Sequence, residues 1–74
     1  MTLTANQREI LRVLTELPVG TAALPSYVWW NVHVEMDHTQ IVKEFEAMLP
    51  TGLVRHDAPY WTLTNEGRQI GQES

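Results

Sequence analysis

The sequence predicts a mainly helical domain closed by a small β-hairpin: three helices, then two strands, then a short C-terminal helical turn. Three observations predict it. Apolar residues cluster in three successive helical windows, around Ile10 to Leu17, Tyr27 to Val32 and Ile41 to Leu49. The pattern then switches to alternation in Tyr60-Trp61-Thr62-Leu63. Pro, Gly and Asp residues punctuate the boundaries between these windows.

The first helix follows Thr4, a good N-cap, with Gln7 three residues on to complete a capping box. Ile10, Leu11, Val13, Leu14 and Leu17 form its apolar stripe, and Arg8, Glu9, Arg12 and Glu16 occupy the other face. Pro18 and Gly20 end it. Val19 to Leu24 reads as a linker. Pro25 suits the first turn of a second helix, expected from about Pro25 to Val34. In that helix Trp29 and Trp30 are neighbours about 100° apart, and the expected register buries Trp30 and leaves Trp29 partly exposed near Tyr27 or His33. Asp37 is the expected N-cap of the third helix, with Gln40 placed to return the bond. Ile41, Val42, Phe45, Met48 and Leu49 supply its buried face, and Pro50 and Gly52 stop it.

Leu53-Val54-Arg55-His56 reads as the first strand, Asp57-Ala58-Pro59 as the turn, and Tyr60-Trp61-Thr62-Leu63 as the returning strand. A hairpin this small needs support, so Leu53, Trp61 and Leu63 are expected to pack on the helices. Thr64 caps a helical turn from Asn65 to Ile70, and Gly71 to Ser74 is expected to fray. Residues 1–74 make a single domain, with no internal repeat and no low-complexity segment.

Three helices followed by a two-stranded hairpin is the element order of a winged helix. Three stretches resemble the winged helix-turn-helix regulators of the MarR and PadR type. Ile41 lies twelve positions before the Leu of Gly52-Leu53-Val54, as in the family, where such a segment opens the wing. Tyr60-Trp61-Thr62-Leu63-Thr64-Asn65-Glu66-Gly67-Arg68 is similar to the family's Tyr-x-Leu-Thr-x-x-Gly-Arg ending of the wing. Trp30, Val34 and Met36 are spaced like its second helix and turn. The likeness covers roughly residues 25 to 68, and the wing pattern is its more specific part. Glu35 stands where the family often has a Gly in the turn before the third helix. The extra dimerisation helices of larger members have no room in 74 residues.

The resemblance implies a sequence-specific DNA-binding transcriptional regulator acting as a homodimer. The third helix would enter the major groove of double-stranded DNA through His38, Thr39, Gln40 and Lys43, and the wing would hold phosphate through Arg55 and His56. Arg68, just after the wing, is a weaker candidate, equally able to pair with Glu66 or Asp57. Charge points the other way. The chain carries −4, and residues 35 to 49 hold four acids against one base, whereas DNA affinity usually comes from Lys and Arg against phosphate. The alternative is a protein-interaction module on the same fold, in which the acidic third helix meets a basic partner and Tyr27 or Trp29 is the anchor. Such a module would suit a larger transcription or phage-encoded complex.

Other classes find no support in the residues. The chain lacks cysteine, which excludes disulfides and thiolate metal sites. His33, His38 and His56 have no ligand spacing. There is no nucleophile signature, glycine-rich phosphate loop or carboxylate pair, so no enzyme activity and no cofactor are expected. No basic N-terminal cluster precedes an apolar run, and no apolar stretch approaches the roughly 20 residues of a membrane span, so a cytoplasmic location is expected. A domain of this size buries only about 60% of its unfolded surface, and a partner subunit is one remedy.

Overall fold

A computed structural model describes residues 2–73. The chain runs α1 (Ala5–Thr15), β1 (Ala22–Ala23), α2 (Pro25–Asn31), α3 (His38–Met48), a 3-10 turn (Leu49–Thr51), β2 (Val54–Asp57), β3 (Tyr60–Leu63) and α4 (Asn65–Glu73). It is mainly helical, with a small three-stranded antiparallel sheet ordered β1-β3-β2. A single cluster of buried apolar side chains joins α1, α3 and the sheet, and among the described residues no polar or charged residue is buried.

In α1 both halves of the capping box form: Gln7 N–H donates to Thr4 Oγ1 and Thr4 N–H to Gln7 Oε1, each at 3.1 Å. Ile10, Leu11, Val13 and Leu14 are buried, as the stripe predicts. The helix stops at Thr15. Its last carbonyl and one two residues beyond it gain a distant partner, because Arg68 donates to Thr15 O and Leu17 O at 3.2 Å each. The pairing of Arg68 with Glu66 or Asp57 weighed above does not form.

The second helix departs most from expectation. It ends at Asn31 rather than Val34, and Val32 is already extended. The Glu9 carboxylate explains the early stop, because it accepts from the His33 backbone N–H at 2.6 Å and draws that amide out of helical pairing. The register is also rotated. Val28 takes the buried seat, with Val32 packed one turn later against the core. Trp30, expected in the core, is 78% exposed, against 43% for Trp29. Two positions along a helix is about 200°, so a helix that buries Val28 turns Trp30 outward.

Asp37 caps α3, accepting from Gln40 N–H at 2.7 Å. The reciprocal half of that box is absent, because the Gln40 side chain donates to Glu44 Oε2 at 3.0 Å. Ile41, Phe45 and Met48 are buried. Val42 is only half-buried. Leu49 keeps helical dihedrals, φ −54° and ψ −48°, but begins the tighter 3-10 turn and is exposed rather than part of the buried face. Gly52, at φ 76°, supplies the left-handed residue that turns the chain into β2.

The expected linker contains a strand. Ala22 pairs with Thr62 and Ala23 with Trp61, so the sheet has three strands rather than two. The first hairpin strand starts at Val54, one residue later than expected, and the second spans Tyr60–Leu63 as predicted. The C-terminal turn is a full helix: α4 continues past Ile70 through Gly71 to Glu73, and Ser74, the end of the expected frayed tail, lies outside the described residues. Packing explains the extension. Gly67 and Gly71 are buried, and a methyl at either position would collide with a neighbour, Leu53 O and Leu63 at Gly67 or Thr15 and Leu11 O at Gly71. The two glycines let α4 lie against α1 and the start of the hairpin. Among the described residues, no helix is long and apolar enough to cross a membrane.

Candidate nucleic-acid interface

The hairpin is fastened to α3 by a stack of three rings. Trp61 lies on Phe45 of α3 with centroids 4.7 Å apart and planes 11° apart. His56, the cross-strand partner of Trp61, covers its other face at 4.0 Å and 10°. Strand alternation puts Val54 and His56 on this face and Arg55 on the opposite one, beside its cross-strand partner Thr62.

The six residues expected to touch DNA fall into two groups. His38, Thr39, Lys43 and Arg55 are exposed, and among the described residues neither Lys43 nor Arg55 has a carboxylate within ion-pair distance. Gln40 and His56 already have partners. The Gln40 amide donates to Glu44, whose other oxygen accepts from Gln7 Nε2 of α1 at 3.2 Å. The His56 ring remains solvent-facing but lies flat on Trp61. The α3 N-terminus, which would otherwise attract phosphate, is occupied by Asp37.

Structural work also consumes cations. Arg12 is held by Glu9 at 2.8 Å and by Glu16, and Arg12 also reaches Asn31 O at 3.4 Å. Hydrogen bonding to Arg12, ahead of an opposing effect of burial and a further bond from His33 N–H, holds the Glu9 carboxyl at about 2, far below its ordinary 4.5. The same carboxylate raises the Arg12 pKa. Arg68 is committed to the end of α1. Of five Lys and Arg residues, Arg8, Lys43 and Arg55 therefore remain without such an engagement among the described residues.

Sequence reasoning missed the Glu9–Arg12–His33 cluster, although the three-residue spacing of Glu9 and Arg12 signals a helical pair. It also missed Trp30. Tyr27 and Trp29 are exposed as expected, at 39% and 43%, but they border different hollows, and Trp30 stands at the edge of both. Trp29 meets Trp30 edge-on at 5.6 Å and His38 edge-on at 6.5 Å, so the aromatic surface runs to the start of α3. Among the described residues, no three His, Asp or Glu side chains converge to hold a metal ion. Neither a family model, nor a curated protein, nor a solved structure matches the chain.

Proposed function

We propose that the chain is a winged helix-turn-helix domain that binds double-stranded DNA as a transcriptional regulator, with α3 as the reading helix and the β2–β3 hairpin as the wing. One observation carries the reading: the Phe45–Trp61–His56 stack locks the hairpin to α3 while His38, Thr39 and Lys43 on the helix and Arg55 on the hairpin stay exposed. The likeness of Tyr60 to Arg68 to the MarR and PadR wing supports it. In this reading Thr39 offers a methyl to thymine or a hydroxyl to a base edge, His38 and Lys43 donate to guanine or phosphate, and Arg55 meets the backbone or minor groove. Gln40 and His56 contribute less, because their polar or planar surfaces already have partners in the fold.

The acidic setting implies weak non-specific binding. With two available cations on the DNA-facing surfaces, log affinity falls against log salt with a slope of about −2 per chain. Fluorescence anisotropy against random duplex DNA, at low and moderate salt, tests this. Lys43→Ala and Arg55→Ala each weaken binding and reduce the slope by about one. Equal binding by both variants and the parent chain would show that the assigned face is wrong. A second reading, a module that docks on a basic protein, draws support from the acids of residues 35 to 49 and from Trp29 beside His38. Absence of DNA binding at low salt, with partner capture lost in Trp29→Ala, favours that reading.

A further inference from the structure

We infer that the hollow between α2 and the start of α3 binds a trimethylammonium head group, held against Trp29 and Trp30 and neutralised by Glu35. The hollow, about 360 Å³, is lined by Trp29, Trp30, Val32, Val34, Glu35 and Met36. The two indoles follow one another on α2 with centroids 5.6 Å apart and planes 73° apart, so they make two walls of a corner. Neither is spent on the core, at 43% and 78% exposure. Val32 and Met36, both packed with the core, give the lining a fixed apolar part.

The fold itself finds no use for the Glu35 side chain. Glu35 stands where the resembling family often has glycine, yet among the described residues only glycines have positive φ, so this turn does not require one. Among the described residues its exposed carboxylate accepts no hydrogen bond and has no base within ion-pair distance. Charge and hydrogen bonding then select the occupant. Glu35 is the only charged residue in the lining, and indole faces carry negative potential, so the hollow favours a cation. A primary ammonium or a guanidinium brings several N–H donors that need acceptors. The lining side chains offer one carboxylate, and the indole N–H groups are themselves donors. A metal ion needs several oxygen ligands. A trimethylammonium group has no donor to satisfy: its methyls meet the indoles, Val34 and Met36, and its charge is met by the ring faces and Glu35. None of His38, Thr39, Lys43 or Arg55 lines the hollow, so the site does not depend on the DNA reading.

Proton–nitrogen correlation spectra of the full chain, titrated with choline at constant ionic strength, test the inference. The three tryptophans give three indole N–H signals. Those of Trp29 and Trp30 move saturably, with a dissociation constant on the order of 1 mM, and that of buried Trp61 stays. The uncharged alcohol with a tert-butyl group in place of trimethylammonium binds at least about tenfold more weakly, and so does ethanolamine, the primary ammonium. Trp30→Ala weakens choline binding about tenfold, and Glu35→Gln about threefold. Tyr27→Ala, bordering only the other hollow, keeps parental affinity. Circular dichroism confirms that each variant is folded. Trimethyllysine blocked at both ends carries the same head on a side-chain stem. Tighter binding of it than of choline makes a methylated protein side chain the source, and the reverse makes it a small molecule. Absence of saturable shifts to about 50 mM choline overturns the inference. Equal binding of the uncharged alcohol or of ethanolamine overturns it too, as do parental affinities in both Trp30→Ala and Glu35→Gln.

Discussion

Trp61 and Trp30 occupy opposite extremes of exposure in one small domain. Trp61 is 2% exposed between Phe45 and His56, at the centre of a region where α1, α3, α4 and the hairpin pack together. Trp30 is 78% exposed on α2, a seven-residue helix with one buried side chain. Around Trp61 packing is tight enough to require glycine at two α4 positions, and an arginine is spent on the end of α1. Around Trp30 large aromatic surface faces solvent, with hollows on both sides. The contrast separates residues that hold the fold from residues available for contact. It places Thr64, Gly67 and Arg68, the end of the stretch that resembles a wing motif, in the first group. Thr64 Oγ1 accepts from Gly67 N–H at 3.1 Å and donates to Gly52 O at 2.7 Å, Gly67 permits the close approach, and Arg68 caps α1. This stretch is structural here, whatever the domain binds.

The strongest way to break the packed side is Gly67→Ala. On helix propensity alone the change should help by up to about 1 kcal/mol. The contact decides the sign, because the added methyl meets the Leu53 carbonyl oxygen, a backbone atom that cannot rotate away. A net loss of about 3 kcal/mol is expected, which lowers the melting temperature of so small a domain by more than about 10 °C. Thermal denaturation followed by circular dichroism measures it. A melting temperature equal to the parent's would mean that α4 does not sit this close to the hairpin.

That close packing explains where the sequence is legible and where it is not. The Thr4 box, the Asp37 cap, the apolar stripe of α3 and the strand Tyr60–Leu63 are local signals, and each appears in the structure. Strand β1 is two alanines that become a strand only against Thr62 and Trp61, some forty residues away. Gly71 reads locally as the start of a frayed tail and Gly67 only as a poor helix former, yet α4 requires both where it meets Leu11 and Leu53. The register of α2 is ambiguous because Tyr27, Val28, Trp29, Trp30 and Val32 are all apolar or aromatic, and fewer than two turns cannot choose among them. At the candidate interface, the exposure of His38, Thr39, Lys43 and Arg55 follows from helix and strand periodicity. The commitments of Gln40 and His56 do not, since they depend on Glu44, Gln7 and Trp61.

A smaller effect sharpens the boundary between the two regions. Glu9 joins α1 to the end of α2 through Arg12 and His33 N–H. Its carboxyl is held at about 2 in the fold against 4.5 ordinarily. A lowered carboxyl pKa stabilises the fold fully above about pH 4.5, and the contribution is lost as pH falls towards about 2. After allowance for solvent at this site it is worth roughly 2 kcal/mol. Denaturation midpoints across that window should fall for the parent chain and fall less steeply for Glu9→Gln, which lacks the titrating group. Superimposable acid limbs would show that Glu9 does not hold the end of α2.

The least effect on stability is expected at Trp30. Trp30→Ala removes an edge contact with Trp29 but gains helix propensity, and at an exposed position the two nearly cancel, leaving less than about 0.5 kcal/mol. Chemical denaturation in dilute solution measures it. Parent and variant should unfold together. The measurement distinguishes the two uses of a large aromatic side chain. A loss of about 3 kcal/mol or more in dilute solution is what truncating a buried tryptophan costs, and would place Trp30 with Trp61 among the residues that hold the fold. Indifference places it among the residues available for contact.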